Sequence, residues 1–465
     1  MNLNQTLQEK YPHLEVSVFS YSKVKEHLIF GSEFNSNTRE NAIQSIISNK
    51  NVNDYFELIN TNVSTLKEFV YIYDLTHSLG NFMIDVEPTQ EIGSNKKEAI
   101  KGDFVISRLR SYLKEMAVIQ SKNFKQLLST EYLVYRPKTN LLSSNTLLAF
   151  SLSRIVQTIL NYSQYGTEHP RFYEFVFNEM PIPKCLLLMN AEIDSIMNKA
   201  YEVLEQSKIF YKKAEETLYL ELGLDPKNPL QNLLDFKTNN PTNSPNISIR
   251  TLKESFLKTG RLDSEYYQSK YEDIEKFIKS YPNGYDSFSN IINNKDTNFT
   301  PKNNENYSYI ELANIGNNGN ISEPISDLGK NLPTRARRIV SKGDVIISSI
   351  EGSLSSCALI TQEFDKHLVS TGFFVLNSKL LNGETLLVMF KSQIFQEYLK
   401  KFPSGTILCA INKEELSKIL IPKIDPTTQE KIAKYIQESF NLRKKSKQLL
   451  DNAKIKVEDQ IQGKT

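Results

Sequence analysis

KGDFVISRLRSYLKEMAVIQSKNFKQLLSTEYLVYRPK (Lys101–Lys138) is written a second time in this chain, as KGDVIISSIEGSLSSCALITQEFDKHLVSTGFFVLNSK (Lys342–Lys379). The stretches align without a gap over thirty-eight residues at a constant offset of 241, with fourteen identities. Downstream the copies stay in step at an offset of 239, where GTEHPRFYEFVFNEMPIPK (Gly166–Lys184) faces GTILCAINKEELSKILIPK (Gly405–Lys423). Each ends in Ile-Pro-Lys, where proline stops a strand or opens a turn. Upstream the match thins but persists: GSEF (Gly31–Phe34) pairs with DSEY (Asp263–Tyr266), and YIYDLTHSLGNF (Tyr71–Phe82) with YIELANIGNNGNI (Tyr309–Ile321).

Beyond each Ile-Pro-Lys lies a long stretch free of proline and glycine. In the first, Ile193, Met197, Ala200, Leu204, Ser207, Tyr211, Ala214 and Leu218 alternate spacings of four and three. In the second, Ile432, Ile436, Ser439, Arg443, Ser446, Leu450, Ala453 and Val457 do the same, each 239 residues on. Heptad spacing sustained this far, with charges on the other faces, predicts coiled-coil packing. Each segment, as a straight helix, would be roughly 50 Å long.

The chain has 465 residues, too many for one ordinary core, which predicts two or more domains. Lys and Arg number 56 against 54 Asp and Glu, so any basic surface for nucleic acid must be local. The three cysteines (Cys185, Cys357, Cys409) are scattered without a CxxC, and no signal peptide is visible, which reads as a reduced, cytoplasmic protein. No apolar run approaches the ~18 residues of a membrane span.

Within each copy DFVIS and DVIIS are short apolar strands opened by a Gly-Asp turn. EYLVY and GFFVL are strands rich in aromatic and β-branched residues. NTLLAFSLSRIVQTILNYSQ and GETLLVMFKSQIFQEYLKKF are amphipathic helical segments, a helix pair closing each sheet. The fold class is α+β. DPKNPLQNLLDFKTNNPTNSPN (Asp225–Asn246) reads as a linker, and NIINNKDTNFTPKNNEN (Asn290–Asn306) as a mobile loop inside the second copy.

Catalytic signatures are missing from the sequence. There is no GxxxxGK[ST] phosphate loop and no HExxH or Cys/His cluster among the five histidines (His13, His27, His77, His169, His367). NNPT (Asn239–Thr242) lacks the second proline and the aromatic of an amino-methyltransferase motif and sits in the linker. No nucleophile stands with its base. The expectation is a non-enzyme with no cofactor and no metal.

The order of these parts, a Lys-Gly-Asp strand, a Gly-Thr…Ile-Pro segment and a heptad helix, twice over, resembles a type I restriction–modification specificity subunit. The resemblance covers nearly the whole chain. It implies a first target-recognition domain over 1–188, a spacer helix over 189–224, a linker over 225–246, a second target-recognition domain over 247–425 and a second spacer helix over 426–462. Each domain would read one half of a split double-stranded DNA site, and the helices would pair antiparallel and dock two methyltransferase (modification) subunits. Restriction subunits would complete the complex, with S-adenosylmethionine and ATP expected only on those partners. Antiparallel pairing of two long helices in one chain would place the preceding domains at opposite ends, about a pseudo-two-fold axis suited to two half-sites. The alternatives are a coiled-coil adaptor that does not bind DNA, and the specificity subunit of another restriction class or of a solitary methyltransferase.

Residues at the ends of the Lys-Gly-Asp strands are candidate DNA contacts, because there the copies agree in apolar and differ in polar positions. Arg108, Arg110 and Lys114 can reach guanine edges or phosphates, and Tyr112 can stack. Their counterparts Ser349, Glu351 and Ser355, with Ser353 beside them, offer smaller contacts; Glu351 can accept from a cytosine amine. Thr167 and Arg171 sit on a loop before the first Ile-Pro segment, with His169 reading as a surface residue. TRARR (Thr334–Arg338) supplies Arg335, Arg337 and Arg338 for phosphates. The plainer reading of both clusters is a turn and a charge run in solvent.

Overall fold

The computed structural model describes residues 3–14, 16, 18, 20–25, 27–234, 249–405 and 407–463. The chain divides into two compact units, residues 1–204 with 444–465 and residues 205–443. Each is a two-sheet, helix-covered module completed by a segment from each of two long helices. Most of the stretch read as a linker, including NNPT, lies outside the described residues.

In the first unit the strands are β1 (Phe56–Ile59), β2 (Asn62–Val63), β3 (Val70–Tyr73), β4 (Lys96–Ala99), β5 (Phe104–Ser107), β6 (Met116–Val118), β7 (Lys125–Ser129), β8 (Tyr132–Pro137), and the short pair β9 (Gln164–Tyr165) and β10 (Arg171–Phe172). In the second they are β11 (Tyr285–Ser287), β12 (Ile292–Asn294), β13 (Asn306–Ile310), β14 (Ile325–Leu328), β15 (Ala336–Ile339), β16 (Val345–Ser348), β17 (Cys357–Leu359), β18 (Leu368–Ser370), β19 (Phe373–Ser378) and β20 (Leu420–Pro422).

The central sheets have the same order, β1-β8-β5-β6 and β12-β19-β16-β17. Their registers agree residue for residue: Ile106 faces Leu133 and Ile347 faces Phe374, both pairs 241 apart. All four residues of β5 and of β16 are buried. Phe104 and Ile106 pack on the helices, while Val105 points into the second sheet with Val134 and Leu128. Burial on both faces is why these strands read as unbroken apolar runs and not as an alternation.

The second sheets differ. In both, a strand parallel to its neighbour (β3 on β7, β13 on β18) and an antiparallel one (β4 on β7, β15 on β18) form a shared three-stranded core. The fourth strand joins opposite edges. β2 adds to β4 in the first module, whereas β14 adds to β13 in the second.

The Lys-Gly-Asp turn explains its own recurrence. Gly102 and Gly343 hold φ of 91° and 87°, in the left-handed region where glycine meets no Cβ penalty. Asp103 and Asp344 are 1% and 3% exposed, and each accepts a backbone N–H from three residues back, from Ile100 at 2.9 Å and Ser341 at 2.7 Å. A buried carboxylate needs a counter-charge. Arg136 supplies it to Asp103 through two bonds of 2.9 Å, and Lys295 supplies it to Asp344 at 2.8 Å. Lys295 lies in the stretch expected to be a mobile loop; that stretch instead contributes edge strand β12, because Ile291 and Ile292 bury among their Asn neighbours.

Each helical segment is a pair of helices broken at a serine. Ser144–Ser151 and Arg154–Asn161 meet at Ser153, which caps the second, and Ser392 does the same between Gly383–Lys391 and Gln393–Leu399. The long helices run Lys184–Glu221 and Pro426–Ile461. Within the first unit Ser446 Oγ donates to the Ala200 carbonyl at 2.8 Å and Lys456 pairs with Glu192, so the helices run antiparallel. Within the second, Ser439 Oγ donates to the Ser207 carbonyl at 2.7 Å and Thr428 Oγ1 to Glu221, again antiparallel. The heptad positions are buried, Arg443 excepted, which is half-buried. Among the described residues no helix is long and apolar enough to cross a membrane.

Candidate nucleic-acid interface

In each module a turn leaves the end of the Lys-Gly-Asp strand and is tied to two other loops by the same backbone bonds. The Arg108 N–H donates to the Glu131 carbonyl at 3.0 Å, Phe172 N–H to the Arg108 carbonyl at 3.1 Å, and Arg110 N–H to the Pro170 carbonyl at 2.7 Å. At equivalent places Ser349 N–H donates to Gly372, Ile411 N–H to Ser349 and Glu351 N–H to Cys409, at 2.9, 2.8 and 3.0 Å. The strand end, the turn between β7 and β8 (or β18 and β19), which leads from one sheet to the other, and the Gly-Thr loop therefore converge on one spot in each unit.

The side chains on this shared frame are unlike. In the first module Arg171 places Nε and Nη2 on Glu131, the shortest bond being 2.6 Å, and Nη1 on the His169 carbonyl at 3.1 Å. Arg108 Nη2 stands 3.8 Å from Oε2 of the same carboxylate, the oxygen that also accepts from Arg171 Nε. Lys97 is buried nearby, with Nζ donating to the Tyr132 carbonyl at 2.9 Å. Three cations thus face one carboxylate. The hydrogen bond from Arg171 holds the Glu131 carboxyl below its usual range, and burial, then Arg108, lowers the Lys97 ammonium. Arg110 and Lys114 take left-handed conformations, φ 48° and 55°, which bend the turn sharply. Lys114 is half-buried, and its carbonyl accepts from Asn81 at 2.8 Å. Tyr112 is 55% exposed, and Thr167 and His169 are exposed on the Gly-Thr loop.

In the second module Ser349 Oγ donates to the Gly372 carbonyl at 2.9 Å, and Ala410 occupies the place of Arg171. Glu351 is exposed, Ser353 Oγ bonds Ser348 Oγ at 2.7 Å, and Ser355 is exposed with its carbonyl accepting from Lys391. Arg335 is exposed, and its carbonyl accepts from Thr371, next to Gly372. Arg337 is half-buried, with Nε donating to the Thr334 carbonyl at 2.8 Å. Arg338 turns inward onto the Phe373 carbonyl, the equivalent of Lys97 on Tyr132, and burial lowers its pKa. The structure thus brings Arg108, Arg110 and Arg171 together, and Ser349 with Arg335, while Arg338 sits in a supporting position.

Reading by residue type missed Glu131 and Lys97. The signal was present, since Glu131 faces Gly372 in the ungapped alignment. It also missed Ile407 and Leu408, which are 98% and 59% exposed beside Cys409 on the second Gly-Thr loop. Among the described residues no group of three or more His, Cys, Asp or Glu is placed to hold a metal.

Over 159 residues the chain is 30% identical to the Type I restriction enzyme HindI specificity subunit of Haemophilus influenzae, a match covering 33% of each protein. The resemblance is to type I restriction specificity subunits. The chain thus spans about a third of that relative's length in alignment. Solved structures of the HsdS subunit from Thermoanaerobacter tengcongensis and of a type I system S subunit from M. genitalium align over 90% of this chain and 96% of theirs, at 13% and 12% identity and TM-scores of 0.28 and 0.41. No family model matches the chain.

Proposed function

We propose that this chain is the DNA-specificity subunit of a type I restriction–modification complex, each module reading one half of a bipartite duplex target. One observation carries the reading. The modules repeat the three backbone bonds that join their loops and change their side chains where those loops converge. A duplicated scaffold with unlike reading surfaces is what two unlike half-sites require. The long paired helices would hold methyltransferase subunits, two per chain. S-adenosylmethionine and ATP would belong to the partners, together with the chemistry of methylation and cleavage.

In the first module Arg108, Arg110, Tyr112, Lys114, Thr167 and Arg171 would face DNA. Guanidinium groups suit guanine O6 and N7, and such a bidentate contact is worth roughly 1–3 kcal/mol of discrimination. In the second, Ser349, Glu351, Ser353 and Ser355 would meet base edges, and Arg335, Arg337 and Arg338 would serve phosphate contact. Ile407 and Leu408 offer apolar contact of the kind a thymine methyl takes.

The test is reconstitution with the neighbouring methyltransferase, followed by mapping of methylated bases across a genome. A bipartite site supports the reading, and exchange of residues 1–185 for another subunit's first module should alter one half of it only. Methylation without sequence preference, or no complex at micromolar concentration, would count against it.

A further inference from the structure

Glu131 is an acidic residue at the centre of a surface that, under the proposed function, meets a polyanion. Left free, a carboxylate there repels phosphate. It is not free: Arg171 spends Nε and Nη2 on it and Nη1 on the His169 carbonyl, and Arg108 approaches it at 3.8 Å. Arg171 therefore has three of its five N–H donors engaged within the protein, two of them in a short ion pair. Arg108 holds only a long contact to the carboxylate, and its Nε is buried without a hydrogen-bond partner. Of the two guanidinium groups, Arg108 is the one able to turn toward a ligand without breaking a short ion pair.

We infer that Glu131 is a positioning residue that sets the specificity of the first module: it locks Arg171 as a strut and aims Arg108 at a base edge, at the expense of general phosphate binding. The inference rests on the DNA-specificity reading above and assigns a role within it. Charge-assisted bidentate pairs fix geometry as well as adding energy, and a pre-aimed guanidinium loses less freedom when it binds. The carboxylate also taxes every duplex equally, so it lowers sequence-independent affinity. The second module has Gly372 at this place and Ser349 and Ala410 where the arginines stand, so it has no such lock.

The experiment uses the full chain with its methyltransferase, and binding to its mapped site and to a random duplex across a salt series. For Glu131→Gln, random-duplex affinity should rise about threefold and the salt slope steepen by about one, because a released guanidinium displaces another counterion. Preference for the mapped site over random duplex should fall about tenfold, in the first half-site only. Glu131→Gly, which installs the residue of the second module, should behave alike and guards against a misfolded glutamine variant. In an Arg108→Ala background Glu131→Gln should cost no further preference. Equal losses on both duplexes would make Glu131 a mere structural prop, and an unchanged preference would overturn the inference as well. A wild-type complex that does not distinguish its mapped site from random duplex would instead overturn the functional reading beneath it.

Discussion

Where the first module carries Arg108, Glu131 and Arg171, the second carries Ser349, Gly372 and Ala410, on backbones joined by the same three hydrogen bonds. The frame therefore does not depend on these side chains, since it is built from N–H and carbonyl groups that every residue here supplies. That separates stability from the surface proposed to read DNA. Asp103 and Asp344, the positive-φ glycines and the doubly buried strands hold each module together, and none of them lies where the modules differ. A departure in the frame itself, the fourth strand of the second sheet, sits on an edge, where a strand is gained or lost without disturbing the core.

The comparison breaks most visibly if the frames are unequal. Asp103→Ala and Asp344→Ala each strand a half-buried cation and an unmet backbone N–H, and each should destabilise by about 3 kcal/mol. Denaturant unfolding of the two variants checks this, and costs that differ by much more than 1 kcal/mol would mean that the two turns are not equivalent. A sharper contrast comes from the differing surface. Arg108→Ala should cost about 2 kcal/mol of preference at one base pair of one half-site, whereas Ser349→Ala, which removes a single hydroxyl already donating to Gly372, should cost the other half less than about 1 kcal/mol. Competition binding with single-base variants of the mapped site would show it, and an equal loss in both would erase the distinction.

A smaller effect separates the units by pH. Glu215, on the first long helix within the second unit, has its carboxyl pushed up to about 7 by burial, with Lys391 and Lys212 pulling the other way. A raised carboxyl favours the folded state fully below its ordinary value of 4.5 and loses that advantage as pH climbs toward 7. Glu215→Gln should therefore stabilise the protein by about 1–2 kcal/mol at pH 8 and little at pH 4. Thermal melts at both values test this; a gain that is the same at each would refute it. The smallest effect concerns the exposed apolar pair. Leu408→Ser should weaken site binding by less than about 1 kcal/mol, and replacing thymine by uracil in the second half-site should cost wild type a similar amount but the variant nothing. Equal sensitivity of both proteins to uracil would remove Leu408 from contact with a methyl group.

The repeat, its α+β character, the buried strands and both heptad helices were legible in the sequence because each rests on local pattern: an ungapped offset, an apolar run, a four-three spacing. Composition misled once. Asn-rich surroundings hid Ile291 and Ile292, so edge strand β12 and the counter-charge Lys295 were read as a mobile loop. Candidate contacts were found by asking where the copies differ in polar residues, which locates a surface but not the bonds within it.

What the sequence by itself determined is that one module is encoded twice and followed each time by a pairing helix, since periodicity and identity are properties of neighbours along the chain. Only the tertiary structure decided that Arg171 is bound up with Glu131 while Arg108 keeps a single long contact, that Arg338 turns inward as Lys97 does, and that the fourth strands join opposite edges. The physical reason is distance along the chain. Arg108, Glu131 and Arg171 lie on three separate loops, and the charge each presents depends on which of the others folding sets beside it.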